Sequence, residues 1–331
     1  MATTRAILVA GGAGYIGAHC CKAVAEAGLT PICYDDLSTG HRSFVRWGPL
    51  VIGDIADNIK ITSTIRHHDI SAVLHLAGPS TIGESIADPQ KYYRNNVAGT
   101  LGLLQGMREA GCGRLVFSSS GAVYGNAGRD PIPESAAGPA VNPYGRSKYM
   151  IEQILSDYRI AYGFSTTVLR YFNACGADGS GRIGELRAPE THLIPRAMMA
   201  ILGHVSDFAI FGTDYETPDG TAVRDFIHVD DLAAAHIAAL ERLLAGHAGD
   251  VYNLGTGSGH SVREIVDAIR DETGEQVPFV YRARRAGDPP VLVADSTRAE
   301  QELGFKARKS DLGHIIRSAW TWHQTAHPRI S

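Results

Sequence analysis

Tyr144 and Lys148 stand four residues apart in Tyr144-Gly145-Arg146-Ser147-Lys148. On a helix that spacing puts both side chains on one face, so a phenol and an ammonium can share a site. A free phenol ionises near pH 10, and neighbouring positive charge lowers that value. Bringing it to about 7 takes roughly 4 kcal/mol, within reach of a lysine and a cationic cofactor ring in a poorly solvated cleft. Such a phenolate can remove a hydroxyl proton while hydride leaves the same carbon. Alone, the pair fits a solvated helix face at least as well. Ser118-Ser119-Ser120 shifts the balance: it follows the apolar run Leu115-Val116-Phe117 and sets a hydroxyl at a strand end, where it can bond the reacting oxygen.

Hydride needs an acceptor, and the chain opens with a place for one. The apolar run Arg5–Ala10 ends in Gly11, Gly12, Gly14 and Gly17, and a helical pattern begins there. Gly11 permits a tight turn, Gly14 lets backbone approach a pyrophosphate, and Gly17 lets helix and strand pack closely. The helix N-terminus, at Tyr15 and Ile16, offers N–H groups and partial positive charge to the anion. Glycines also mark ordinary turns; the strand before them and the helix after them favour the dinucleotide. Asp35 and Asp36 end the second apolar run, where a carboxylate can bond the adenosine ribose and would repel a ribose phosphate. That favours NAD, although His41 and Arg42 leave NADP open and a cap or turn role remains the alternative for the two aspartates. Asp54 ends the third run, in reach of the adenine edge, and Leu76-Ala77-Gly78 follows the fourth along the cofactor.

The elements that must position these groups alternate. Short apolar runs at 5–10, 30–35, 50–53, 72–77, 114–119 and 165–171 are separated by helical patterns, notably 14–27, 90–111 and 143–162. Strand–helix alternation predicts an α/β fold, a doubly wound parallel (Rossmann) sheet covered on both faces. After residue 172 the character changes. Gly176–Pro189 reads as a mobile glycine-rich loop. A helix at 191–203, a strand pair at Phe208–Phe211 and Asp225–Val229, an alanine-rich helix at 230–244, a sheet strand at 250–254 and helices near 261–273 and 310–324 follow. The expected division is a cofactor domain at 1–172, with 225–254 returning to it, and a smaller α/β lobe at 173–331.

At 331 residues with 44% hydrophobic side chains the chain can bury a large core. Its net charge of −4 and lack of a lysine- or arginine-rich block argue against a nucleic-acid partner. Cys20, Cys21, Cys33, Cys112 and Cys175 have no metal-ligand spacing and fit buried reduced thiols; no metal is expected. No cationic, apolar leader precedes the first run and none of the runs is of membrane-crossing length, so the expectation is a soluble, cytoplasmic protein without a membrane partner.

The combination resembles the extended short-chain dehydrogenase/reductase family, and more closely its UDP-glucose 4-epimerase (UDP-galactose 4-epimerase) members. The likeness runs almost end to end. It includes GGAGYIGAH at 11–19, HLAG at 75–78, GES at 83–85, YYRNNVAGT at 92–100 and FSSSGAVYG at 117–125. It continues through NPYGRSK at 142–148, LRYFNACGA at 169–177, ETHLIP at 190–195, FAIFGTDYETPDGTAVRDFIHVDDLA at 208–233, VYNLGTG at 251–257 and RRAGDPP at 284–290. The glycine and Tyr/Lys motifs mark the superfamily; the segment through Arg224 and the RRAGDPP block are far more specific.

The resemblance implies Tyr144 as acid/base, Lys148 as its electrostatic partner and ribose ligand, and Ser120 as the hydroxyl contact. Tyr15, Ile16, Asp35, Asp36, Asp54, Ile55, Leu76, Ala77, Gly78, Asn95 and Phe172 match positions that contact NAD. Asn173, His192, Leu193, Ala209, Phe211, Arg224, Arg285 and Asp288 match positions that hold the UDP-sugar. Planar arginine donors suit a diphosphate, which agrees independently. Ser80 stands where some members carry a cofactor-contacting lysine, His192 replaces an asparagine, and Leu292 occupies a position that limits room at the sugar's second carbon. Sugar specificity therefore stays open.

Related dehydratases place an Asp-Glu pair beside the serine, and decarboxylases a glutamate; Gly121-Ala122 here has no proton to give or take. Hydride return is then the remaining productive path, which makes the expected reaction a 4-epimerisation through a 4-keto sugar. The rivals are an epimerase of UDP-N-acetylhexosamines or UDP-pentoses and a catalytically inactive NAD-binding sensor. The resemblance also implies a homodimer through the helices around 90–111 and 143–162.

Overall fold

Apolar runs buried on both faces set the architecture. In the computed structural model, which describes residues 5–126, 128, 131–136, 139–285 and 288–330, they form one parallel sheet. Ala286 and Gly287 of the Arg284–Pro290 block lie outside the described residues. Six strands come from the first half: β1 (Ala6–Ala10), β2 (Thr30–Asp35), β3 (Leu50–Ile52), β4 (Ile70–His75), β5 (Arg114–Ser118) and β6 (Ser165–Tyr171). The sheet order is β11-β6-β5-β4-β1-β2-β3, where β11 is Val251–Leu254 from the second half, parallel to β6. The order reverses beside β1, which places a crevice at the carboxyl ends of β1 and β4.

The side chains of β1 show why both faces must be covered. Ile7 and Val9 point into one core and Ala6, Leu8 and Ala10 into the other, the period of two of a strand. The first face carries α1 (Tyr15–Glu26) and the alanine-rich α8 (Val229–Leu244). The second carries α2 (Asn58–His67), α5 (Gly99–Ala110) and α6 (Pro143–Tyr162).

The remaining elements build a third core. It packs α7 (Leu193–Ile201), α9 (Val262–Thr273) and α11 (Leu312–Ala326) through Ile194, Met198, Ile265, Ile269 and Ile316. Short strands edge it: β7 (Asn173–Cys175) with β10 (Phe226–His228), β8 (Ala209–Phe211) with β13 (Val280–Arg282), and β9 (Val223–Arg224) between β12 (His260–Ser261) and β14 (Val291–Leu292). Helix α10 (Thr297–Leu303) lies against β11.

Four expectations are corrected. Strands 208–211 and 225–229 do not pair with each other; each takes a different parallel partner, β13 and β7. The fourth strand runs over Ile70–His75 and not 72–77, and Leu76-Ala77-Gly78 follows it as expected. The helix expected at 90–111 is interrupted: α3 (Ile82–Ala87) and α4 (Pro89–Tyr92) lead into a π-helical turn at Tyr93–Ala98 before α5. The Gly176–Pro189 segment is tied down, with Tyr15 Oη donating to the Gly176 carbonyl (2.6 Å), Lys22 paired with Asp178 (2.6 Å), Trp322 Nε1 donating to the Glu185 carbonyl (2.8 Å) and Ile183 fully buried.

Candidate active site

Local chemistry at the start of α6 brings the phenol to the serine. Asn142 accepts from the Gly145 N–H (2.8 Å) and Pro143 occupies the first turn, so the helix begins just before Tyr144. A side chain at Gly145 would collide with the Ala122 carbonyl; its absence lets the helix lie directly on the turn after β5. Ser120, which accepts from the Ala122 N–H at 3.1 Å, therefore lies beside Tyr144. One turn on, buried Lys148 donates to the Ser118 carbonyl (2.8 Å), with Nζ 5.9 Å from the centre of the Tyr144 ring and 4.8 Å from that of Phe117.

Burial pushes the Tyr144 phenol above its ordinary value; the Ser120 hydrogen bond and the charge of Arg187 oppose this. Burial also pulls Lys148 down to about 8, against the pull of Glu152. Besides Lys148, one helical turn away, the charge of Arg187, which sequence reasoning missed, opposes the effect of burial on the phenol.

The glycine-rich turn fits a dinucleotide. Gly11 has φ +82°, and a Cβ there would lie 2.6 Å from the Ala77 nitrogen; a Cβ on Gly17 would strike the Gly11 carbonyl. The cradle admits only glycine at both points. Gly14 caps α1 without a side chain, which leaves the first-turn N–H groups of Tyr15 and Ile16 for an anion. Asp35 accepts from Ala13 N (3.0 Å) and Leu37 N (2.9 Å) and ties β2 to the turn, whereas exposed Asp36 bonds Ser38. Asp54 is exposed, and Ile55 packs against Gly99. Leu76 N donates to the Ala10 carbonyl (2.8 Å), setting Leu76, Ala77 and Gly78 beside the glycine turn.

Asn95 is exposed, while its neighbour Asn96 is buried in the π-helical turn. Asn96 Nδ2 donates to Ser147 Oγ (2.9 Å) and the Pro79 carbonyl (3.3 Å), and its Oδ1, without a partner, faces Gly78. A buried orphaned acceptor beside the glycine at the crevice is consistent with a bound group that donates to it. His41 is held through Nε2 by the Leu186 carbonyl at 3.0 Å.

A second cluster gathers residues distant in sequence. Arg224 on β9 pairs with Asp288 (2.7 Å), Arg285 pairs with the other oxygen of Asp288 (3.1 Å), and the Arg285 guanidinium lies 5.1 Å over the Phe211 ring. Ala209 shares β8 with Phe211, and Leu292 is in register with Arg224. Asn173 donates to the Asp225 carbonyl at 3.0 Å. His192 begins α7 just before Leu193 and bonds Glu185 at 2.6 Å through Nδ1. A partly buried guanidinium, Arg224, and an exposed one, Arg285, lying over an aromatic face suit a nucleoside diphosphate.

Phe172 stacks near Tyr124 and covers Gly121, where a Cβ would sit 2.8 Å from the Phe172 ring. An acid at 121 is therefore sterically excluded. Gly121→Asp is expected to lower unfolding free energy by about 1–3 kcal/mol through overpacking alone, with burial of the carboxylate adding to it. Denaturant melts check this, and a midpoint equal to the parent's contradicts it.

Among known proteins, the model of the NAD dependent epimerase/dehydratase family matches residues 7–255. The chain is 49% identical over 317 residues to the UDP-glucose 4-epimerase of Rhizobium leguminosarum bv. trifolii, covering 96% of this chain and 97% of that one. It is similar to the crystal structure of the Brucella ovis UDP-glucose 4-epimerase in complex with NAD (51% identity, TM-score 0.94, 96% and 98% covered). It is also similar to that of the Stenotrophomonas maltophila UDP-glucose 4-epimerase with bound NAD and formylated UDP-arabinopyranose (40% identity, TM-score 0.94, 97% and 98% covered). With a full-length likeness at this level, a glycine cradle at the sheet's switch point and a Ser/Tyr/Lys cluster beside it, the chain belongs to the NAD dependent epimerase/dehydratase family.

Proposed function

We propose that the protein is a UDP-glucose 4-epimerase, an isomerase that interconverts UDP-galactose and UDP-glucose through a transient 4-keto sugar. The observation that carries this reading is the buried Tyr144 phenol, one helical turn from Lys148 and beside Ser120, with Gly121 leaving no room for an acid at its own position. NAD, when bound, accepts the carbon-4 hydride and returns it, and contributes positive charge in its oxidised form. Gly11, Gly14, Tyr15, Ile16 and Gly17 would hold its pyrophosphate, Asp35 and Asp36 its ribose, and Leu76, Ala77, Gly78 and Lys148 its reactive end. Asp54, Ile55, Asn95 and Phe172 would complete the cofactor's surroundings.

The chain's own part is proton transfer and restraint. Tyr144 takes the 4-hydroxyl proton and later gives it back. Ser120 aligns that hydroxyl. Arg224 and Arg285 hold the diphosphate while the sugar turns about its link to it, with Asn173, His192, Leu193, Ala209, Phe211 and Asp288 around the nucleotide and sugar. With Gly121 in place of an acid beside Ser120, the ketone is reduced again from the opposite face.

Residues 1–172 with 225–254 serve as the cofactor domain and the rest of 173–331 as the sugar-nucleotide lobe, a division supported by β11 lying beside β6. Leu101 on α5 and Tyr149, Met150, Ile160 and Tyr162 on α6 expose large apolar surface, which supports a homodimer through those helices. The five buried, unpaired cysteines support a reducing, cytoplasmic setting, and among the described residues no helix is long and apolar enough to cross a membrane.

Protein purified without added cofactor is expected to release NAD on denaturation. Native protein should convert UDP-galactose to UDP-glucose with no accumulation of reduced nicotinamide. Net NADH formation, or turnover confined to UDP-N-acetylhexosamines or UDP-pentoses, contradicts the assignment.

A further inference from the structure

A buried carboxylate stands behind His192. Glu185 is 2% exposed; its Oε1 accepts from Arg187 Nε at 2.9 Å and meets His192 Nδ1 at 2.6 Å. Trp322 Nε1 donates to the Glu185 carbonyl at 2.8 Å and Ile183 is fully buried, so this part of the wall is fixed. An ionised carboxylate only accepts, so Nδ1 carries a proton. The other ring nitrogen is unused: among the described residues Nε2 has no hydrogen bond, and the His192 side chain is 41% exposed.

The charges around this pair leave a place for a second imidazole proton. Against burial, His192 and Arg187 hold the Glu185 carboxyl below its ordinary value. Glu190, just before α7, accepts from the Thr191 and His192 N–H groups at 2.7 and 2.9 Å, bonds that suit a carboxylate. Burial and Glu185 push that acid up, against the two N–H groups and His192. Arg187 is also held by Ser80 Oγ at 3.0 Å, and Arg196 in α7 is turned to Asp207 at 2.7 Å. Tyr15 from α1 and Cys175 from β7 face Glu185 as neutral groups, and burial pulls His323 of α11 down to about 4. Two carboxylates thus meet one guanidinium here, and an imidazolium at His192 brings the group to neutrality. The Glu185 charge accordingly raises the His192 imidazole above its ordinary value, against burial and Arg187.

We propose that Glu185 is a positioning residue for the sugar nucleotide: it holds His192 as an imidazolium and leaves the Nε2–H free to donate to the diphosphate. This rests on the UDP-sugar role of His192 proposed above. His192 then adds to Arg224 and Arg285 a cationic donor whose charge depends on pH. The charge is present below the imidazole's midpoint and lost above it. A bound diphosphate holds the proton more tightly, so binding takes up a proton at a pH above the free protein's midpoint and none well below it.

The test is calorimetric titration of UDP-glucose into the NAD-loaded Tyr144→Phe protein, which slows conversion, in buffers of different ionisation enthalpy. The diphosphate of UDP-glucose has no group that titrates near neutrality, so the protons counted belong to the protein. Uptake should approach one proton near about pH 8 and vanish near about pH 6. Adding His192→Asn should leave binding and abolish the uptake. Adding Glu185→Gln should lower the midpoint by about one pH unit, weakening binding roughly fivefold near neutrality, with the parent affinity recovered in mild acid. Binding without proton uptake anywhere between about pH 6 and 9 overturns the proposal, as does uptake that survives His192→Asn. An affinity loss in Glu185→Gln that acid does not restore also overturns it and leaves Glu185 a part of the wall. No binding of UDP-glucose at any pH sinks the sugar-nucleotide reading itself, and this proposal with it.

Discussion

Replacing Tyr144 by phenylalanine is expected to lower kcat by about 10²- to 10⁴-fold while KM for the UDP-sugar changes little. The change deletes one oxygen. The ring's packing beside Tyr92, with ring centres 6.3 Å apart, survives the substitution. The fold, the glycine cradle and the arginine pair are untouched, so retained NAD and an unchanged melting temperature serve as internal controls. The effect falls on chemistry because neither Ser120 nor Lys148 can stand in. Ser120 is a far weaker acid than a phenol, and the Lys148 ammonium is directed at the Ser118 carbonyl. A steady-state rate within about tenfold of the parent would mean that another group moves the proton.

The same site shows what sequence conveys and what it hides. Tyr144, Lys148 and Ser120 were legible because a spacing of four and a strand end are local facts, and α6 runs over the expected 143–162. The parallel sheet was legible because strands buried on both faces are continuous apolar runs, as in β1 and β2. Pairings in the second lobe were not. Strands of two or three residues, such as β9, β12 and β14, carry no period, and their partners lie across long loops. The π-helical turn at Tyr93–Ala98 has no proline or glycine before Gly99 to announce it, yet it buries Asn96 and leaves Asn95 exposed. Arg187 and Glu185 were hidden for a related reason. In a stretch rich in glycine and charge, composition suggests a solvated loop, and only tertiary contacts with Tyr15, Lys22 and Trp322 make it an inner wall.

Beneath Ser118-Ser119-Ser120, Arg170→Met is expected to cost about 3–5 kcal/mol, a large share of the roughly 5–15 kcal/mol that holds a typical protein folded. Arg170 on β6 grips Glu152 on α6 through two nitrogens (3.0 and 2.5 Å) and bonds Tyr124 Oη (2.9 Å) and the Glu134 carbonyl (3.0 Å). Ser119 donates to the same Glu152 carboxylate, and both charged side chains are under 10% exposed. Methionine fills much of the volume but leaves a carboxylate buried without its cation and the Glu134 carbonyl without its donor, while Tyr124 keeps its bond to Asn253. The cost is mostly that of the orphans and not of the attraction lost. The double change Arg170→Met with Glu152→Met removes the orphaned charge, so it should regain most of the stability lost by the single variant. Calorimetric melts of the three proteins decide the matter. A single variant within about 1 kcal/mol of the parent would mean that solvent already reaches this pair. The clamp also fixes α6 on β6 one turn beyond Lys148, so it sets the depth at which Tyr144 and Lys148 enter the cleft; stability and catalytic geometry here share one ion pair.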